Sequence, residues 1–189
     1  MHDIDFSIDR RLVELAREGD GGAAHELIER HQERVYRLAY RLTGQADTAA
    51  DIAQDTFLRL LQNLASINDG QALIRWLTRT ATNIARDRWR SRRDTVEFDE
   101  ALYDDDMARD ITDDAAASAQ MGERIQRGLM ELPHRYREAF ILRHVEDLTH
   151  EEMCAQLGLS LSVVKVRIHR ACRMLRALLP EYEGDGPDV

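Results

Sequence analysis

Five cationic or titratable side chains, Lys165, Arg167, His169, Arg170 and Arg173, fall within nine residues near the end of the chain. The surrounding segment, Ser160 to Leu179, holds one Lys, four Arg and no acid, a charge of +5. A second block, Ala85 to Arg93, carries five Arg, one Asp and Trp89, a charge of +4. Clusters of this kind neutralise phosphates, and an Arg or Lys early in a helix can also reach guanine edges. Arg planes beside a Trp suit unstacked bases. Covalent chemistry has no comparable basis: there is no phosphate-binding glycine loop, nucleophile elbow or paired-carboxylate constellation. His144, His150, Cys154, His169 and Cys172 match no zinc spacing, and single buried cysteines usually act as small hydrophobes. No metal, cofactor, small-molecule substrate or enzymatic activity is therefore expected.

Helical periodicity supplies the elements that must position these side chains. Leu27, His31, Val35, Leu38 and Leu42 recur every three or four residues, and Gly44 follows as a stop. A second helix from about Asp47 to Ala65 gathers Ile52, Phe57, Leu60, Leu61 and Leu64 on one side. After the turn-forming run Ser66 to Gly70, a third helix turns Leu73, Trp76, Leu77, Thr80 and Ile84 inward and ends in the Arg block. Near the carboxy terminus, Ile125, Leu129 and Leu132 mark one helix stopped by Pro133, and Tyr136, Phe140, Ile141 and Leu142 another. Thr149-His150-Glu151-Glu152 fits a capping box. The helix it opens ends at Gly158, and Ser160 is placed to cap the last helix, from about Leu161 to Leu179. Helix, Gly-containing turn and basic helix are the layout of a helix-turn-helix. Val163, Val164, Ile168, Cys172 and Leu175 are expected to face its core, leaving the cations outward.

The net charge of −9 is unevenly distributed. Residues 94–118 contain ten acids and one Arg, and residues 181–189 add −4. Such a stretch buries too little apolar surface to offset chain entropy and reads as a flexible acidic linker. The expected organisation is all-α: a helical bundle over 1–93, the linker over 94–118, a helix-turn-helix domain over 119–180 and an acidic tail over 181–189. No signal peptide or membrane-length apolar run is apparent. Two cysteines cannot form a disulfide framework, which fits a reducing cytoplasm.

The run Leu132-Pro133, Arg143 to Glu152, Leu157 to Ser160 and Val164 to Ala171 closely resembles the fourth conserved region of extracytoplasmic-function (ECF) sigma factors, subunits that direct bacterial RNA polymerase to promoters. Tyr40 to Gly44, Asp51 to Arg59 and Trp76 to Asp87 independently resemble their second region. The resemblance implies that Asp51, Gln54, Asp55 and Phe57 dock on the clamp coiled coil of the polymerase β′ subunit, where carboxylates and an exposed aromatic suit a basic helix. It implies that the loop Ile67, Asn68, Asp69, Gly70 and Gln71 cradles a flipped base of the −10 element, with Arg59, Asn63 and Asn83 at the pocket or its rim. Arg86, Arg88, Trp89, Arg90, Arg92 and Arg93 would contact the melted strand. Ser160, Ser162, Lys165, Arg167, His169, Arg170 and Arg173 would meet the −35 element, while the same domain engages the β flap. Trp76 and Leu77 read as core packing. An anti-sigma factor, often membrane-anchored in this family, is the expected regulator.

Two positions depart from the family pattern. Ala50, and often Thr48, stand where the family carries acids, so polymerase docking should be weaker unless phosphorylation of Thr48 restores the charge. Val166 replaces a small polar residue, so the −35 sequence cannot be inherited from relatives. The competing reading is a stand-alone helix-turn-helix regulator, which leaves the amino-terminal matches without a role; an adaptor that binds only proteins leaves both basic blocks without one.

Overall fold

The computed structural model describes residues 6–67, 70–93 and 119–179, all of them in helices or the turns between helices. The chain divides into two compact units, with the division between Ser91 and Arg92. The acidic stretch 94–118, the tail 181–189 and the loop residues Asn68 and Asp69 lie outside the described residues.

The first unit contains α1 (Phe6–Arg17), α2 (Gly21–Thr43), α3 (Ala46–Asn63), a 3-10 turn (Leu64–Ser66) and α4 (Gly70–Arg93). The Asp20 carboxylate caps α2 by accepting from the Gly22 and Ala23 amides, and Gly44 closes it. Leu27, His31, Val35, Leu38 and Leu42 are all buried, as their spacing requires. Each fully buried Leu, such as Leu27 or Leu60, contributes about 2 kcal/mol of transfer free energy. On α3 the Leu61 side chain differs from the sequence expectation: it is exposed, while Leu60 is buried. On α4 the inward set is Leu73, Leu77, Thr78, Ala81, Ile84 and Ala85; Trp76 and Thr80 are only half-buried. Buried Thr56 and Thr82 satisfy their hydroxyls on the carbonyls of Ile52 and Thr78, one turn back.

Helix α1 was not apparent in the sequence, because Leu12, Val13 and Ala16 make too short a stripe. Its anchor is a carboxylate. Asp9 is fully buried, accepting from Arg30 Nε at 2.9 Å and facing His31 Nε2 at 3.1 Å. Thus His31 sits in the apolar stripe of α2 as a partner for Asp9. Arg17 Nε also donates to the Leu64 carbonyl, tying α1 to the 3-10 turn. Gly70 then opens α4 under the first turn of α1, where a Cβ would meet the Phe6 carbonyl oxygen at 2.5 Å.

Thr48 is buried at the start of α3, its hydroxyl donating to the Gln45 side chain at 3.0 Å. Thr48 is therefore not the surface threonine that the sequence reading took it for.

The second unit contains α5 (Ala119–Glu131), α6 (His134–His144), α7 (His150–Leu157) and α8 (Leu161–Leu178). Ala139, Leu142, Leu148, Met153 and Val164 form its core, with Leu157, Leu159 and Ile168 against them. Arg137 terminates α5: its Nε donates to the Leu129 carbonyl, and its Nη2 to those of Met130 and Leu132. Pro133 can donate nothing there, so the guanidinium satisfies carbonyls that the helix end leaves open. No helix among the described residues is long and apolar enough to cross a membrane.

Two stability predictions follow from these anchors. Burial alone would raise the Asp9 carboxyl, but hydrogen bonds and charge from His31 and Arg30 outweigh it and hold the group below its ordinary range. A depressed native pKa means stability that is complete above the unfolded value, about 4, and lost as pH falls through the native one. Thermal melts from pH 7 to pH 3 should show this loss in the wild type and not in Asp9→Asn, which is itself about 3 kcal/mol less stable at neutral pH. Arg137→Ala should cost about 2–4 kcal/mol in urea unfolding of the second unit, because three carbonyls lose a charged donor.

Candidate nucleic-acid and protein interfaces

In the first unit, α4 is amphipathic in a way that separates its arginines. A helix turns about 100° per residue, so residues two apart lie on nearly opposite faces. Asn83, Arg86 and Arg90 follow one another at three- and four-residue intervals on the side away from the core residues Leu77, Ala81 and Ile84. Arg79, exposed one turn before Asn83, extends the same stripe; its spacing was visible in the sequence but it was not singled out. Asn83 is half-buried and its Oδ1 faces Arg86 Nη1 at 3.5 Å, while Trp89 is half-buried beside them.

Arg88 falls on the opposite side and does something else. Its Nη1 donates to Asp51 at 3.0 Å and its Nη2 to Asp55 at 2.9 Å, a fork that closes α4 onto α3. The bond to Asp51, followed by that to Asp55, holds the guanidinium above its ordinary value. The sequence reading set Arg88 among the DNA contacts; in this structure it is bound to the two carboxylates, which are an internal tie as well as surface charge.

A second correction concerns Phe57. It is buried, not an exposed aromatic. It lines a groove of about 620 Å³ between α2 and α3, whose walls include Ile28, Tyr36, Ala53, Gln54, Leu58 and Leu61. Leu58 is 51% exposed and Leu61 42%. Two apolar side chains held half in water beside an open groove mark a surface made for a partner. Sequence reasoning missed Leu58, Ile28 and Tyr36, and Ala50, where an acid was expected, lines the same groove.

Around the loop that precedes α4, Ile67 is buried, so its side chain serves packing and only backbone groups are available there. Gly70 is likewise buried under α1, and Gln71 is exposed. Arg59 is exposed, and the Asn63 amide nitrogen donates to the Arg59 carbonyl at 2.8 Å. Of Arg92 and Arg93 the structure describes only the helical backbone.

In the second unit the helix-turn-helix is closed by local chemistry. Thr149 Oγ1 accepts from the Glu152 amide and the Glu152 carboxylate from the Thr149 amide, the reciprocal capping box. Gly158 then takes φ 69°, a left-handed turn that a side chain would strain. Ser160 stands at the N-cap of α8 without capping it; its hydroxyl meets that of Ser162 at 3.0 Å. Val164, Ala171 and Leu175 anchor α8, with Ile168 half-buried. Val163, expected in the core, is exposed instead. Ser160, Ser162, Lys165, His169, Arg170 and Arg173 are exposed on the outer side and Arg167 is half-buried.

Tyr136 supports this face from below. Its hydroxyl accepts from Arg170 Nη1 at 3.1 Å and from Arg135 Nη2 at 3.2 Å, and the Arg135 guanidinium lies over its ring. Burial pushes the phenol up, but the two arginines outweigh it and lower its pKa. Elsewhere on α8, Cys172 contacts His144 at 3.4 Å, and burial raises its thiol, the opposite of a reactive cysteine.

Comparison with known proteins decides what these two units are. Residues 27–95 match the family profile Sigma-70 region 2, and residues 122–175 match Sigma-70, region 4. The chain belongs to the ECF sigma factors of RNA polymerase. It is 28% identical to ECF RNA polymerase sigma factor SigW of Bacillus subtilis (strain 168), covering 90% of this chain and 96% of that protein. It is 34% identical to ECF RNA polymerase sigma factor EcfG of Rhodopseudomonas palustris (strain TIE-1), over 80% of this chain and 83% of the relative. Among solved structures, CnrH in complex with the cytosolic domain of CnrY superposes with a TM-score of 0.63 at 27% identity, covering 92% of this sigma factor and 97% of CnrH. The sigma-factor family is not an enzyme class in the catalytic sense.

The two faces of α4 should separate by mutation. Arg86→Ala should lower the slope of log affinity against log salt on promoter DNA by about 1, as loss of one phosphate contact requires. Arg88→Ala should leave that slope unchanged and cost under about 1 kcal/mol in unfolding, since its ion pairs are partly exposed.

Proposed function

We propose that this alternative sigma factor carries core RNA polymerase to promoters by using four surfaces at once. The α2–α3 groove, rimmed by Gln54, Leu58 and Leu61 and flanked by Asp51 and Asp55, takes the β′ clamp coiled coil. The outer stripe of α4, with Arg59, Asn63 and the loop at 67–71, takes the −10 strand, where an extruded base exposes its pairing edge. The outer side of α8 takes the −35 duplex in its major groove, and the remainder of the second unit takes the β flap. The observation that carries this reading is the presence of two separate cation-faced helices, each in a unit of its own family match, with an apolar groove in the unit of the first.

Joint engagement supplies the energy. Each DNA contact alone is modest, and tethering both to one polymerase raises the effective concentration of the second. Strand opening is then stabilised by binding, with no covalent step. The same groove and cationic faces are what an anti-sigma factor would cover; CnrH is bound by the cytosolic domain of CnrY, and a regulator of that class fits this chain. The place of action is the cytoplasm, where polymerase and DNA are. The stand-alone regulator explains α7 and α8 but gives no role to the groove or to the α4 stripe.

Purified protein mixed with bacterial core polymerase should initiate from a subset of a promoter library. Asn83→Ala should reduce open-complex formation at least about tenfold, the loss of one base-reading contact plus its orientation. Leu58→Asp should abolish polymerase binding while sparing duplex binding by the second unit. Duplex binding with no polymerase association in the wild type would instead establish the stand-alone regulator.

A further inference from the structure

The recognition helix carries an apolar side chain where its neighbours are cationic or polar. At about 100° per residue, Val164, Ile168, Ala171 and Leu175 define the inner face of α8, and Val166 points almost directly away from it. Val166 is the sixth residue of α8 and half exposed, at 50%. Ser162, His169 and Arg173 share its stripe, with Lys165 and Arg170 on either side. Val163, one turn earlier and 38% exposed, adjoins it. Nothing inside the unit calls for a β-branched residue there, and water is a poor neighbour for it.

An outward side chain in the first half of a recognition helix faces base edges in the major groove. Val166 can neither donate nor accept a hydrogen bond. Set against a purine N7, a guanine O6 or an exocyclic amine, it would strip water from a polar group and return nothing. The one major-groove feature that gains from its methyls is the C5 methyl of thymine. We propose that Val166 reads a thymine methyl in the −35 element, so that it attracts one base and penalises the polar edges of the others. This specificity rests on the sigma-factor reading above and adds to it: the cations of α8 hold the backbone, and Val166 selects at one base pair.

The test separates the methyl from every other property of thymine. Duplexes bound by the reconstituted holoenzyme are selected from a random −35 library, and each thymine of the selected element is replaced singly by deoxyuridine. Deoxyuridine keeps the pairing and all hydrogen-bonding groups and lacks only the C5 methyl. One position should lose about fourfold in affinity on replacement, the value of one buried carbon, about 0.8 kcal/mol. In Val166→Ser that position should show no difference between thymine and deoxyuridine, and in Val166→Thr, which keeps one methyl, a smaller one. Because the side chain is outward, both variants should retain the wild-type helical signal and melting temperature. No sensitive thymine, or the same fourfold loss in Val166→Ser, overturns the proposal while leaving the sigma reading intact. Failure of the holoenzyme to select any duplex overturns the sigma reading and this proposal with it.

Discussion

A helix that presents cations to a polyanion is not held in place by them before the polyanion arrives. Like charges along α4 and α8 repel each other, and their solvated heads add little to folding. The position of each cation-faced helix therefore depends on what its opposite face buries, and the rest of the architecture follows from that requirement. In the first unit the buried Leu73, Leu77, Ala81 and Ile84 hold α4 against the bundle. In the second unit Val164, Ala171 and Leu175 do the same for α8.

Polar ties then set what packing alone leaves loose. Hydrophobic burial is non-directional and would tolerate some sliding of one helix along another. The Arg88 fork on Asp51 and Asp55 fixes the far end of α4 relative to α3, so the partner groove and the cationic stripe share one rigid frame. Asp9, held between Arg30 and His31, fixes α1, and α1 in turn braces the start of α4 through Gly70 and the 3-10 turn through Arg17. The 3-10 turn and the start of α4 are thus both braced by α1. In the second unit Arg137 locks the end of α5, and Tyr136 fastens Arg170 to α6.

The apolar features left in water have a consistent place in this scheme. Leu58 and Leu61 stand at the rim of a groove, and Val166 stands at the centre of a cationic face. Phe6, Ile8, Tyr40, Leu161 and Val163 are exposed as well, so it is the groove beside Leu58 and Leu61, and not exposure alone, that distinguishes a surface. Ala50, where an acid was expected, lines the same groove as the buried Phe57, so the wall there is apolar instead of charged.

The sequence by itself determined the all-helical class, the two family units, the capping box at Thr149 and the basic faces of the last helices in each unit. These depend on local periodicity and on motifs read within a few residues, which a linear chain displays directly. Boundaries set by single residues, such as Gly44 and Gly158, were legible for the same reason. Only the tertiary structure decided which of two adjacent residues was buried, as with Leu60 and Leu61, or Val164 and Val163, because both members of each pair fit an apolar stripe about 100° wide. It also decided which charges are spent inside the protein. Arg88 and Arg86 look alike in the sequence, yet Arg88 binds carboxylates on a helix more than thirty residues away, while Arg86 faces Asn83 one turn back on its own helix. Asp9 and His31 carry no local signal of their pairing at all, since the contact joins two helices and exists only once both are packed.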